Sequence, residues 1–149
     1  MGIVVPDGIL GNPDNEPIRA WILEQSRVLA SIDLPVEAFL PQVGVQASLL
    51  FLQKKSRQEV NVGVDEDYPI FMAVAETVGH DRRGNPVFRR DPDGYDLFDT
   101  YTVELPVRRD GHEVIECRLL RHKRVADDLP AIARAYRAWC DEGVEPAAW

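Results

Sequence analysis

One stretch, Asp33 to Lys55, limits the folds open to this chain more than any other. Leu34-Pro35 ends a short apolar run, because proline cannot donate to a sheet ladder. Ala47 to Leu52 is almost continuously apolar, as in a strand covered on both faces, although periodicity alone leaves a buried helix segment open. Between the two lies an exposed loop with a single aromatic, Phe39, beside Pro41 and Gly44. Loops run over the surface, so an apolar ring there needs a reason. The bland reason is that Phe39 fills core space beneath its own loop, since scattered apolar residues near surfaces are common.

The residues before this stretch read as strand, helix, strand. Met1 to Val5 is apolar and β-branched, as in a buried strand. Pro6-Asp7-Gly8 reads as a turn with glycine free to take positive φ, and Gly11 to Asn15 as a second turn cluster. Asn15 is the expected N-cap of a helix over 16–29, with Glu16 in its first turn and Pro17 where a missing N–H costs nothing. Ile18, Trp21, Ile22, Val28 and Leu29 would form its apolar face. Strand–helix–strand in this order predicts a right-handed crossover unit, the closing half of an open α/β sheet. A strand so near residue 1, buried on both faces, needs neighbours that these residues do not supply. The chain is therefore expected to be the C-terminal piece of a longer domain, or to pair with another chain.

After Lys54 the pattern changes. Residues 54–67 read as a polar connection with a short strand over 59–64. Residues 68–78 read as a strand followed by a helix, from the spacing of Ile70, Phe71, Val74 and Val78. Gly79 to Pro86 is a glycine-flanked loop, Val87 to Arg90 a short strand, and Asp91 to Gly94 a turn, together suggesting an exposed hairpin or finger. A strand is expected around Thr100 to Leu105, a turn at Arg109-Asp110-Gly111, and a half-buried strand over Glu113 to Leu120. Asp127 and Asp128 would cap a last helix over 129–140, with Ile132, Ala135, Tyr136 and Trp139 on one face. Residues 144–149 read as a tail. No internal repeat or low-complexity tract occurs.

At 149 residues the chain can form one ordinary domain. Its 45% hydrophobic and 28% charged content is that of a globular protein. With 17 basic and 25 acidic residues the formal charge is −8, which argues against a whole-surface grip on nucleic acid but leaves a local basic groove open. Cys117 and Cys140 are unpatterned, as in a reducing compartment. No apolar stretch is long enough to span a bilayer, and the first residues lack the basic start of a signal peptide. A cytoplasmic location is the default expectation.

The segment Leu34–Lys55 (LPVEAFLPQVGVQASLLFLQKK) resembles the late part of the catalytic domain of adenine-N6 DNA methyltransferases, most closely the modification subunit of type I restriction systems. GIVVPDGIL (Gly2–Leu10) and IRAWILEQSRVLASIDLP (Ile18–Pro35) are similar to the same family in the same order. The likeness is good over residues 1–55 and looser beyond. It implies a partial Rossmann-like class I methyltransferase sheet, its closing strands, over residues 1–56, and an α+β extension with an exposed hairpin and a C-terminal helix over 57–149. It also implies that Phe39 stacks on a flipped adenine, with Pro41, Gln42 and Gly44 shaping the loop; enzymes that modify a base in duplex DNA extrude it and often hold it against an aromatic face. DNA would be a partner, with an upstream methyltransferase segment and, in a type I system, specificity and restriction subunits.

Two family motifs are missing. Neither the glycine-rich donor loop, Asp-Pro-Ala-Cys-Gly-Thr-Gly, nor the catalytic Asn-Pro-Pro-Tyr or Asn-Pro-Pro-Phe is in the chain. Asn12-Pro13-Asp14 and Asn85-Pro86-Val87 lack the second proline and the aromatic, and read as turns. S-adenosylmethionine is thus expected as the methyl donor of the complete protein and not as a ligand of these residues alone, for which no catalytic residue is assigned.

The densest basic patch is His80 to Arg83 with Arg89 and Arg90; Arg82, Arg83, Arg89 and Arg90 are the candidate phosphate contacts. A second patch is Arg118, Arg121, His122, Lys123 and Arg124. Either also fits a solvated face balanced by Asp81, Asp91 and Asp93. No histidine or cysteine spacing points to zinc, and no serine sits in a Gly-x-Ser-x-Gly elbow. The alternative function is a non-catalytic protein- or DNA-interaction module on an α/β scaffold.

Overall fold

A computed structural model of the chain describes residues 1–62 and 67–142. It divides into two compact units: residues 1–85 with the segment from Asp127, and Pro86–Ala126.

The first unit is built on a four-stranded sheet in the order β1-β3-β2-β4: β1 (Gly2–Pro6), β2 (Ser26–Leu34), β3 (Ala47–Lys54) and β4 (Phe71–Val74). β3 runs antiparallel to both of its neighbours, and β4 runs parallel to β2. The strands β1, β2 and β4 therefore point the same way, with β3 inserted against them. A bulge between Val28 and Ala30 interrupts the β2–β3 ladder, and Val28 N donates there to the Tyr68 hydroxyl at 3.1 Å.

Period-two alternation sends side chains to both faces of this sheet. On one face Val5, Leu50 and Leu52 pack with Ile9 and Leu10 of α1 (Asp7–Gly11) and Ile22 of α2 (Glu16–Gln25). On the other, Ile32, Leu34, Ala75 and Leu49 pack with Leu129 and Ile132 of α4 (Leu129–Asp141) and with Phe39. The Phe71 ring of β4 meets Tyr136 edge-on at 5.3 Å and Trp139 at 5.7 Å, so the expected apolar face of the last helix is the one that docks. The predicted strand at Ala47 to Leu52 is present, centred in the sheet, and β2 ends at Leu34 before Pro35, as expected.

Several expectations are corrected. Met1 to Val5 does form a strand, but only Val5 of β1 is buried; β1 is an edge strand among the described residues, and Ile3 and Val4 stay exposed. Asp7-Gly8 starts a short helix instead of a turn, and Gly8 does not take positive φ. The helix expected over 16–29 stops at Gln25: Val28 and Leu29 belong to β2, where Val28 pairs with Leu52 and Leu29 falls in the bulge, so pairing of the strand with β3 outweighs their helical spacing. Asn15 occupies the N-cap, yet its side chain donates to the Gly8 carbonyl at 2.8 Å instead of capping. The strand expected over 59–64 is a helix, α3 (Arg57–Val62), in its described part; residues 63 and 64 lie outside the described residues. Arg27, buried at the start of β2, holds that helix through Glu59 at 2.8 Å. No helix follows β4 over residues 75–78. The predicted tail lies outside the described residues.

The second unit is a long hairpin, β5 (Phe98–Arg109) and β6 (His112–Lys123), paired along its whole length. Asp110 and Gly111 both have positive φ, 51° and 84°, as a two-residue type I′ turn requires. The expected strand at Val87 to Arg90 is reduced to isolated bridges, Phe88 to Val125 and Arg90 to Asp96. No helix among the described residues is long and apolar enough to cross a membrane.

Candidate functional site

Because β1, β2 and β4 are parallel, the segments that leave their carboxyl ends lie along one edge of the sheet. In open α/β sheets that edge is where ligands bind. Three connections meet there. Asp7 follows β1; its N–H donates to the Gln46 carbonyl at 3.1 Å and its carboxylate accepts from Ser48 Oγ at 3.1 Å. Residues 35–46 follow β2 and carry Phe39; Gln46 Nε2 closes this loop onto the Leu34 carbonyl at 2.6 Å. Residues 75–85 follow β4.

The Phe39 loop is tightly turned. Val36–Phe39 forms a 3-10 turn, Leu40 N donates to the Glu37 carbonyl, and Val43 N donates to the Phe39 carbonyl at 2.8 Å. Pro41 is in the cis form. Phe39 is half-buried, one side resting on the Ile32–Leu34–Ala75 cluster, so its ring is neither fully in the core nor fully displayed. Pro41, Gln42 and Gly44 are exposed around it. A Cβ on Gly44 would meet Leu40 at an ordinary 3.7 Å, so space alone does not demand glycine there.

The structure brings residues 81–85, part of the first basic patch, against this loop. Asp81 closes residues 81–85 into a ring of hydrogen bonds, its carboxylate accepting from Arg83 N at 2.8 Å, Asn85 N at 2.9 Å and Asn85 Nδ2 at 3.1 Å. The Asn85 side chain, then the amides, hold the Asp81 carboxyl below the usual carboxylate range. Gly84 takes φ +82° and lies so near Pro41 that a Cβ on it would sit 3.5 Å from the proline Cδ. Arg82 Nε donates to Glu37 Oε1 at 2.9 Å, which holds Glu37 below its ordinary value. The sequence offers no signal for this pairing, because 45 residues separate the partners.

The four candidate phosphate contacts are not alike. Arg82 is engaged with Glu37 and Arg90 with Asp96, while Arg83 is exposed and makes no ion pair among the described residues. Arg89 and Arg90 belong to the second compact unit. In the second patch Lys123 pairs with Asp96 at 2.6 Å, Arg124 with Asp99 at 2.8 Å and Arg118 with Glu116 at 3.5 Å, while Arg121 covers the Phe98 ring. That patch is largely charge-balanced.

On the opposite side of the first unit, β1, β3 and α2 frame an apolar groove of about 920 Å³. Met1, Ile3, Ile18 and Trp21 open onto it, with Trp21 62% exposed. No cluster of three metal-ligating side chains occurs among the described residues.

The family model for N-6 DNA methylases matches residues 1–91, more than half of the 149-residue chain. The chain belongs to the N-6 DNA methylase family. No curated protein matches it. The match covers β1 to β4, the Phe39 loop and the whole Asp81 ring, so both braced loops of this methylase chain lie inside the family region. N-6 DNA methylases act on DNA and use S-adenosylmethionine. The described residues do not fit that donor: the strand-to-helix junctions after β1 and β3 have no glycine-rich turn, and the 920 Å³ groove is walled mainly by apolar side chains.

Proposed function

We propose that the chain supplies the target-base side of an adenine-N6 DNA methyltransferase, as the rear part of the catalytic domain in the modification subunit of a type I restriction system. In this reading residues 1–56 are the closing strands of a Rossmann-like class I sheet. Residues 57–149 are an α+β extension whose first strand, β4, adds to the same sheet. An upstream segment brings the donor loop and the Asn-Pro-Pro-Tyr or Asn-Pro-Pro-Phe motif, and with them S-adenosylmethionine. Specificity and restriction subunits would complete the assembly in the cytoplasm.

The observation that carries this reading is the Phe39 loop: a half-buried aromatic at the carboxyl edge of three parallel strands, held by hydrogen bonds and by a second loop. A ring fixed along one side can receive a flipped adenine on its other side without first losing conformational freedom. The β1 edge, unpaired on its outer side among the described residues, and the apolar groove beside it support a further segment there, since Ile3 and Val4 leave apolar side chains exposed on that edge.

The test joins this chain to a segment carrying both missing motifs. Methyl transfer to adenine is the expected result. Phe39→Ala should then weaken engagement of the target adenine by roughly 1–3 kcal/mol, the worth of one base–aromatic stack. Unchanged activity and DNA binding in that variant would remove the stacking role. The second reading, an interaction module, is favoured by the hairpin β5–β6, where Ile115 and Leu119 stand exposed. It would gain if the joined protein transferred no methyl group.

A further inference from the structure

We infer that the loop after β4 divides its two adjacent arginines: Arg82 positions the Phe39 loop, and Arg83 meets a backbone phosphate of the bound DNA. This rests on the reading of the Phe39 loop as the target-base loop.

Geometry separates the two residues. The Asp81 carboxylate accepts from the Arg83 and Asn85 main-chain amides, which fixes the loop backbone from both sides of Gly84. Gly84, at a positive φ that L-residues rarely adopt, lies beside Pro41, two residues beyond Phe39, where an added Cβ would sit 3.5 Å from the proline Cδ. Arg82 reaches across to Glu37, two residues before Phe39. The 3-10 turn that presents the ring is thereby tied on one flank by Arg82 and bordered on the other by Gly84 of the same loop. An exposed ion pair of this kind adds little to global stability, and Arg82 is 74% exposed. Its effect is local: it ties a loop that its own hydrogen bonds already turn tightly to the loop after β4.

Arg83 has no such task. Its main-chain N–H completes the Asp81 ring, but its side chain is exposed and forms no ion pair among the described residues. The Asp81 oxygens are taken by three N–H donors, so Arg83 acts on that carboxylate through its field and without a direct bond. An exposed guanidinium on the loop that pairs with the Phe39 loop, with Arg82 already engaged by Glu37, is a cation that a phosphate can reach in a chain of net charge −8. Phosphate contacts of this type fix register without reading sequence.

The test uses the complete methyltransferase. Arg83→Ala should weaken DNA binding to a similar degree on all sequences and make the slope of log affinity against log salt shallower by about one. Arg82→Ala should leave that slope in place and lower kcat several-fold with KM for S-adenosylmethionine unchanged. The exchange Glu37→Arg with Arg82→Glu should restore part of the lost kcat. Equal loss of slope in both single variants would overturn the division, and so would a slope that neither variant changes. A Phe39→Ala variant without effect in the same assays would instead remove the reading on which the inference rests.

Discussion

At the start of α4, Asp128 sits at the N-cap but turns its carboxylate away from the helix. Its Oδ2 accepts from Glu76 N at 3.0 Å, Thr77 N at 2.8 Å and Thr77 Oγ1 at 3.0 Å, so it ties the loop after β4 to the last helix. The helix start is served by the Asp128 carbonyl and by Asp127, whose Oδ1 accepts from Leu129 N. Hydrogen bonds to a charged group are worth more than neutral ones, and here two main-chain amides would lose their acceptor. Asp128→Ala should therefore cost about 2 kcal/mol of unfolding free energy, and Asp128→Asn less. Urea unfolding measures both; a loss within error for the alanine variant would mean that the loop is held by other contacts. Sequence placed an acid at the right position for the wrong reason: it identified the cap, whereas the partners lie some fifty residues away. Phe39 is a similar case. Its presence in a loop was plain, but its half-buried setting combines the two readings that the residues left open.

Among the elements, those with a strong local cause were legible. The β5–β6 turn is one: Asp110-Gly111 supplies two positive-φ residues, and the strands on either side pair from Phe98↔Lys123 to Arg109↔His112. Gly111→Val should strain that turn by roughly 1–3 kcal/mol, because a β-branched residue resists positive φ. The strain should appear as faster amide exchange at Val107 and Val114, the third pair from the turn, with the first unit unaffected. Protection unchanged at those amides would show that the ladder tolerates another turn. Elements whose boundaries depend on distant partners were misread. Helix α2 lost Val28 and Leu29 to the β2–β3 ladder, and residues 59–62 became helix where Glu59 meets the buried Arg27.

For the molecule as a whole, the division into two units makes its own prediction. Within the second unit Ala126 N donates to the Val87 carbonyl at 2.8 Å, so the chain enters and leaves it side by side. Replacing residues 86–126 with a short glycine–serine linker should thus leave the four-stranded sheet and α4 intact, since their core clusters draw on none of the removed residues. A cooperative melting transition and retained near-ultraviolet circular dichroism from Trp21 and Trp139 are the expected outcome. A non-cooperative, molten shortened chain would show that the hairpin is needed for the core to pack.

By itself the sequence pointed to strands at Met1 to Val5 and Ala47 to Leu52, the stop at Pro35, the hairpin turn, the last helix and its docking face, and the methylase likeness of its first third. Each of these follows from local chemistry: β-branched runs, proline's missing donor, glycine's free φ, or a helical apolar stripe. Only the tertiary structure decided that β3 lies antiparallel between two parallel strands, that β1 is left as a bare edge, and that the Asp81 loop grips the Phe39 loop. The reason is physical. Strand order and long-range ion pairs depend on which surfaces close on one another, and no window of neighbouring residues carries that information.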